Sequence, residues 1–159
     1  MPALRSALCF VVPFALLLQA SHFASAAEPV EEALKKLDLK RGVVAVVGLP
    51  GDPPEPEFVT DLAKATELMI YFQSPDRKQA EAVRVVADRA GLLGKRVFVD
   101  SGSVDSLHLS HNLADGVLVA ESLADDVSEA EVLRILYPRY TAHICSKTIT
   151  TLLPVGIDY

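Results

Sequence analysis

The sequence predicts an α/β protein: three layers, with helices on both faces of an open, mostly parallel sheet. Three observations predict it. Short apolar runs, bounded by glycine, proline or charged residues, alternate with stretches of helical period. Several of the runs are apolar at successive positions, as strands are when both faces of a sheet are covered. The chain has 159 residues, half of them apolar, enough for one domain with a substantial core.

The first segment stands outside that alternation. It carries Arg5, an apolar stretch from Ala7 to Ala20, and then Ala24, Ser25 and Ala26, the small-residue pattern of a signal-peptidase site. Cleavage is expected before Ala27. Residues 1–26 therefore read as a signal peptide and the mature chain as exported, periplasmic or secreted. A membrane anchor is the competing account, but Pro13 interrupts a run shorter than the ~20 residues a spanning helix needs. No stable membrane insertion is expected once the signal is removed. Cys9 lacks the small residue that precedes a lipidated cysteine. The mature chain keeps Cys145 alone, which excludes an intramolecular disulfide and suits a small buried apolar residue.

Each later element has its own signal. Residues 27–41 hold a leading amphipathic helix, with Val30, Ala33, Leu34 and Leu37 at helical spacing and lysines after acids, as the helix dipole favours. GVVAVVGLPG is the first strand, closed by Gly48. Phe58, Leu62 and Ala65 mark a short helix, and LMIYF is the second strand. Ser74 is the expected N-cap of the next helix, with Pro75 in its first position. That helix places Ala80, Val83, Ala87 and Ala90 on one face and stops at Gly91. KRVFVD and GVLVA are the third and fourth strands. SEAEVLRIL opens with a capping box, Ser128 and Glu131, and ends before Pro138. Residues 42–140 thus form the α/β domain. Residues 141–159, rich in Thr and Ile without helical period, form a fifth strand with a returning partner, or an irregular tail.

Composition removes several functions. A formal net charge of −6 offers nucleic acid and anionic membranes no long-range attraction, so no nucleic-acid partner is expected. There is no phosphate-loop motif, GLPG is too weak for a dinucleotide fingerprint, and no G-x-S-x-G elbow is present. Asp100 followed by Ser101 lacks a placed base. His108 and His111, with Asp105 nearby, would share a face if their segment were helical. An exposed loop is the simpler account, and no metal is expected.

In an open parallel sheet, ligands bind beyond the carboxyl ends of the strands. Those positions are Gly48, Pro50 and Gly51 after the first strand, Gln73 after the second, Asp100 and Ser101 after the third, and Ala120 and Glu121 after the fourth. The candidate cofactor-binding residues are Gly48, Gly51, Gln73, Asp100 and Ser101; no catalytic residue is assigned.

From Gly42 to Tyr140 the order VVAVVGLPG, LMIYFQSPD, RVFVDSGSVDSLHLSHNLADGVLVA, SEAEVLRILYPRY resembles the class I S-adenosylmethionine-dependent methyltransferases, which are Rossmann-like. The resemblance implies that Asp100 lies near an adenine, that Asp115 opens the fourth strand, and that RILYPRY replaces a Leu-Lys-Pro-Gly-Gly turn. It also implies the strand order, with the first strand beside the second and the fourth. Three departures stand out. Prolines crowd the first loop and remove backbone donors. Gln73 stands where an acid accepts from both ribose hydroxyls. Arg139 and Tyr140 replace the glycines. A similar segment occurs near the N-terminus of some exported bacterial proteins, ahead of a quinoprotein-like β-propeller, which would make this chain a short relative, truncated or frame-shifted after Tyr140. The departures together point to a non-catalytic module that binds an unknown protein or small molecule or assists assembly, with no cofactor. The alternative is methyl transfer from S-adenosylmethionine to an unknown small molecule or protein. On the decayed-site reading, Gln73→Glu would restore a ribose contact provided the loop from Gly48 to Glu57 leaves room for the methionine part; if its prolines close that room, the substitution does nothing.

Overall fold

The computed structural model describes residues 27–144 and 147–150. Cys145 and the segment read as a signal peptide lie outside the described residues. Strands β1 (Arg41–Val47), β2 (Glu67–Ser74), β3 (Val97–Ser101), β4 (Ala114–Val119) and β5 (Leu136–Ile144) are parallel. Strand β6 (Lys147–Thr150) returns antiparallel to β5, and the sheet order is β3-β2-β1-β4-β5-β6. The first strand thus sits between the second and the fourth, as expected.

Helices α1 (Ala27–Leu37), α2 (Glu57–Ala65) and α3 (Arg77–Arg89) cover one face. There Val44 and Val46 of β1 and Leu68, Ile70 and Phe72 of β2 pack with Val30 and Ala33, Phe58 and Leu62, and Ala80 and Val83. Side chains alternate along a strand, so Ala45 and Val47 of β1 turn the other way. They join Val117, Val132 and Ile135 in a second cluster, with Val104 and Leu107 from the β3–β4 connection. That second layer is thin. Among the described residues it consists of the seven-residue helix α4 (Glu129–Ile135), an irregular connection, 102–113, and Leu123, Ala124 and Val127 after β4, and it leaves Met69 43% and Phe98 37% exposed.

Two local expectations are corrected. Ser74 belongs to β2, and Asp76 caps α3 by accepting from Lys78 N at 2.8 Å. A carboxylate makes the stronger, charge-assisted cap. Ser74 Oγ instead accepts from Asp76 N and donates to Gln79 Oε1, each at 3.1 Å. Ser128 occupies the N-cap position of α4, but no capping box forms. Glu131 is drawn away by Arg134, at 2.6 and 2.8 Å, and by Leu107 N, at 2.7 Å. The segment bearing His108 and His111 is an exposed loop, as expected, so helical spacing does not bring those rings together.

The fifth strand also starts earlier than read, directly after α4. Ala114 pairs with Leu136 and Gly116 with Thr141, so Tyr137–Tyr140 form a bulge opposite Asp115. Pro138 falls in that bulge, where a missing N–H breaks no ladder bond.

Candidate functional site

The topological switch lies between β1 and β4, whose outgoing connections run in opposite directions. A cleft of 360 Å³ opens there, lined by Gly48, Gly51, Ala120 and Glu121 from the strand ends and by Glu32 and Lys36 from α1. Val46, Phe58 and Leu118 give it an apolar floor. Gly48 is required on two counts. Its φ is +74°, and a Cβ there would stand 2.6 Å from Leu123 Cδ1. The amides that end the two strands are already used. Gly48 N donates to Gln73 O and Ala120 N to Val47 O, both at 2.9 Å.

Beside the cleft, at the ends of β2 and β3, the chain builds a polar cluster around Gln73. This side chain is fully buried. Its Oε1 accepts from Tyr71 OH at 3.1 Å and from His108 N at 2.9 Å. Its Nε2 donates to Ser103 O at 2.8 Å and Ser106 O at 3.0 Å. An amide side chain has two acceptor sites and two donor hydrogens, and all four are engaged. Three of the partners are backbone groups of the β3–β4 connection, which is thereby fastened over the tip of β2. From the other side α4 holds the same connection, since Arg134 donates to Leu107 O at 2.8 Å and Leu109 O at 2.9 Å. Gly102 lets the connection lie close: a Cβ there would meet His108 Cε1 at 2.7 Å and Gln73 Nε2 at 3.1 Å.

Asp100 closes the cluster at its solvent side. Its Oδ2 lies 2.7 Å from His108 Nδ1 and 3.4 Å from Tyr71 OH, and its Oδ1 accepts from Ser101 N at 2.8 Å. A carboxylate only accepts, so an imidazole hydrogen sits on Nδ1. The His108 bond, followed by the Ser101 amide, lowers the Asp100 pKa against an opposing push from desolvation. Burial and the Asp100 charge raise that of Tyr71. Asp100 therefore contributes stability that is complete above the ordinary carboxylate range and lost as pH falls through its lowered folded value. Urea midpoints of the protein and of Asp100→Asn are expected to differ at neutral pH and to converge below about pH 4; a pH-independent difference would contradict this.

The five sequence-predicted residues divide between two places. Gly48 and Gly51 line the cleft, whereas Gln73, Asp100 and Ser101 belong to the polar cluster and do not line it. Asp115 is in neither: it accepts from Val43 N at 2.8 Å and ties β1 to β4 toward their amino-terminal halves. His108 enters as the Asp100 partner, and no group of three or more potential metal-ligating side chains occurs among the described residues. Tyr71 was missed. Its signal was available, because i and i+2 of a strand share a face and Tyr71 stands two residues before Gln73.

No family model and no curated protein matches this sequence. Solved structures do. A methyltransferase dependent on S-adenosylmethionine from Aquifex aeolicus aligns at TM-score 0.58 and 21% identity, covering 71% of this chain and 61% of that one. Geranyl diphosphate methyltransferase in complex with S-adenosylmethionine aligns at 0.63 and 17%, covering 76% and 48%. The fold is that of the S-adenosylmethionine-dependent methyltransferases. The cyclase SpnF shares this methyltransferase fold at TM-score 0.64 and 22% identity, over 78% of this chain and 46% of that one. The present chain therefore spans between about half and three fifths of these methyltransferase-fold proteins.

Against the methyltransferase fold, the residues present do not fit the nucleoside half of S-adenosylmethionine. Gln73 has no unused acceptor for a ribose hydroxyl, and backbone of the same chain covers it. In the first loop Pro50, Pro53, Pro54 and Pro56 supply no N–H.

Proposed function

We propose that the chain is an exported, non-catalytic binding module of methyltransferase fold, which takes a ligand at the switch-point cleft and not the nucleoside of S-adenosylmethionine. One observation carries this: the three hydrogen bonds that fasten the β3–β4 connection to Gln73. A ribose or adenine at the β2 end would have to displace that connection and leave buried polar groups without partners, each at about 1–3 kcal/mol. Fold alone does not imply methyl transfer, and SpnF, a cyclase of this fold, illustrates it. Export rests on the pattern of residues 5–26 and further separates the chain from a cofactor made in the cytoplasm.

Isothermal calorimetry with S-adenosylmethionine and S-adenosylhomocysteine tests the reading. Binding no tighter than millimolar, about −4 kcal/mol, is expected. Micromolar binding that is lost on Asp100→Ala would overturn it in favour of a methyltransferase. That second reading has its own support in the fold neighbours, one of them in complex with S-adenosylmethionine, and in a cleft at the position where open α/β sheets bind ligands. Export is checked by intact mass of the mature protein: a chain beginning at Ala27 is expected, and a retained Met1 would remove it.

A further inference from the structure

We propose that the switch-point cleft binds a small organic ammonium ion with an apolar body. The proposal rests on the reading that the β2–β3 end is closed, which leaves the cleft as the ligand site. Its floor of Val46, Phe58 and Leu118 suits a hydrocarbon or aromatic body. At 360 Å³ it lies near the lower end of the ~300–1,000 Å³ typical of small-molecule sites.

The charge of the ligand follows from which polar groups remain available. Three charged side chains line the cleft: Glu32, Lys36 and Glu121. Lys36 Nζ is paired with Glu32 at 2.7 Å, so those two largely cancel. Glu121 is exposed and has no ion pair or side-chain hydrogen bond among the described residues. The site therefore presents one uncompensated carboxylate. An anion would need donors instead, and three of the backbone positions that line the cleft offer none. The amides of Gly48 and Ala120 are bonded to Gln73 O and Val47 O, and Pro50 has no N–H. The chain's net charge of −6 adds long-range attraction for a cation.

Three probes with one body and different heads decide the matter: phenylbutylamine, phenylbutanol and phenylbutyrate, each titrated into the purified chain and followed by amide chemical shifts. The amine is expected to bind about fivefold more tightly than the alcohol, as suits one exposed ion pair, and phenylbutyrate most weakly. Shifts should centre on Gly48, Gly51 and Ala120. Glu121→Gln, at an exposed position, should bring the amine down to the alcohol's affinity. Phenylbutyrate binding as tightly as the amine, an amine affinity unchanged in Glu121→Gln, or shifts confined elsewhere would each overturn the proposal, as would no binding by any probe. Weak S-adenosylmethionine binding together with no preference for the amine would sink this inference alone. Micromolar S-adenosylmethionine binding would sink the closed-site reading beneath it.

Discussion

Replacing Gln73 by leucine should lower the folding free energy by about 4 kcal/mol, since leucine nearly fills the space but strands Ser103 O, Ser106 O and His108 N, each at about 1–3 kcal/mol with some relief from entering water. Gln73→Glu should be at least as costly. Its carboxylate would face the two carbonyls to which Nε2 now donates, at 2.8 and 3.0 Å, with no hydrogen to offer them. This reverses the expectation drawn from the sequence, in which glutamate restores a ribose contact. The partner of position 73 is the chain's own backbone, so what the position needs is a donor. Urea denaturation of both variants measures the cost, and hydrogen exchange at the His108 amide reports whether the connection lifts. If either variant kept its midpoint and the exchange rate stayed unchanged, the connection would not depend on Gln73.

Phe72→Ala should cost a further-ranging loss of about 4 kcal/mol. Phe72 is next to Gln73 in sequence but faces the opposite layer, fully buried with Leu62, Ile70 and Val83 in the cluster under α2 and α3. Truncation there removes the ring and leaves a cavity that rigid neighbours fill only in part. Phe98→Ala is the comparison. Phe98 lies on the thinly covered face, 37% exposed, and its loss should cost less than half as much. Thermal or urea melts of the two variants read the difference directly. Equal costs would mean that the two faces of the sheet are not covered as unequally as described.

Much of the architecture was legible because it rests on periodicity. The all-apolar run at Val43–Val47, the spaced alanines of α3 and the glycine after Ala90 each report a local constraint, and together they give the parallel sheet. Where the sequence misled, two local partners competed. Ser74 and Asp76 could both cap α3, and spacing does not rank a hydroxyl against a carboxylate. Ser128 and Glu131 fit a capping box, but the choice was made by Arg134 and by Leu107, 24 residues away in the chain. The site was half legible for the same reason. Gly48 and Gly51 are fixed by local backbone geometry, whereas the role of Gln73 depends on carbonyls 30 and 33 residues downstream. Nothing in LMIYFQSP reveals where those carbonyls come to rest.

The connection between β3 and β4 is gripped by its main chain: Gln73 takes Ser103 O, Ser106 O and His108 N, while Glu131 and Arg134 take Leu107 N, Leu107 O and Leu109 O. Every residue but proline offers the same amide, so this grip does not read identity at the held positions. Val104 and Leu107 are constrained by burial, and the exposed Asp105, Ser106, Ser110 and His111 are not. The segment is in effect a fixed frame with interchangeable tiles. Mutational drift can repaint the surface beside the cleft without reshaping it, and a library randomised at those four positions would retain the fold.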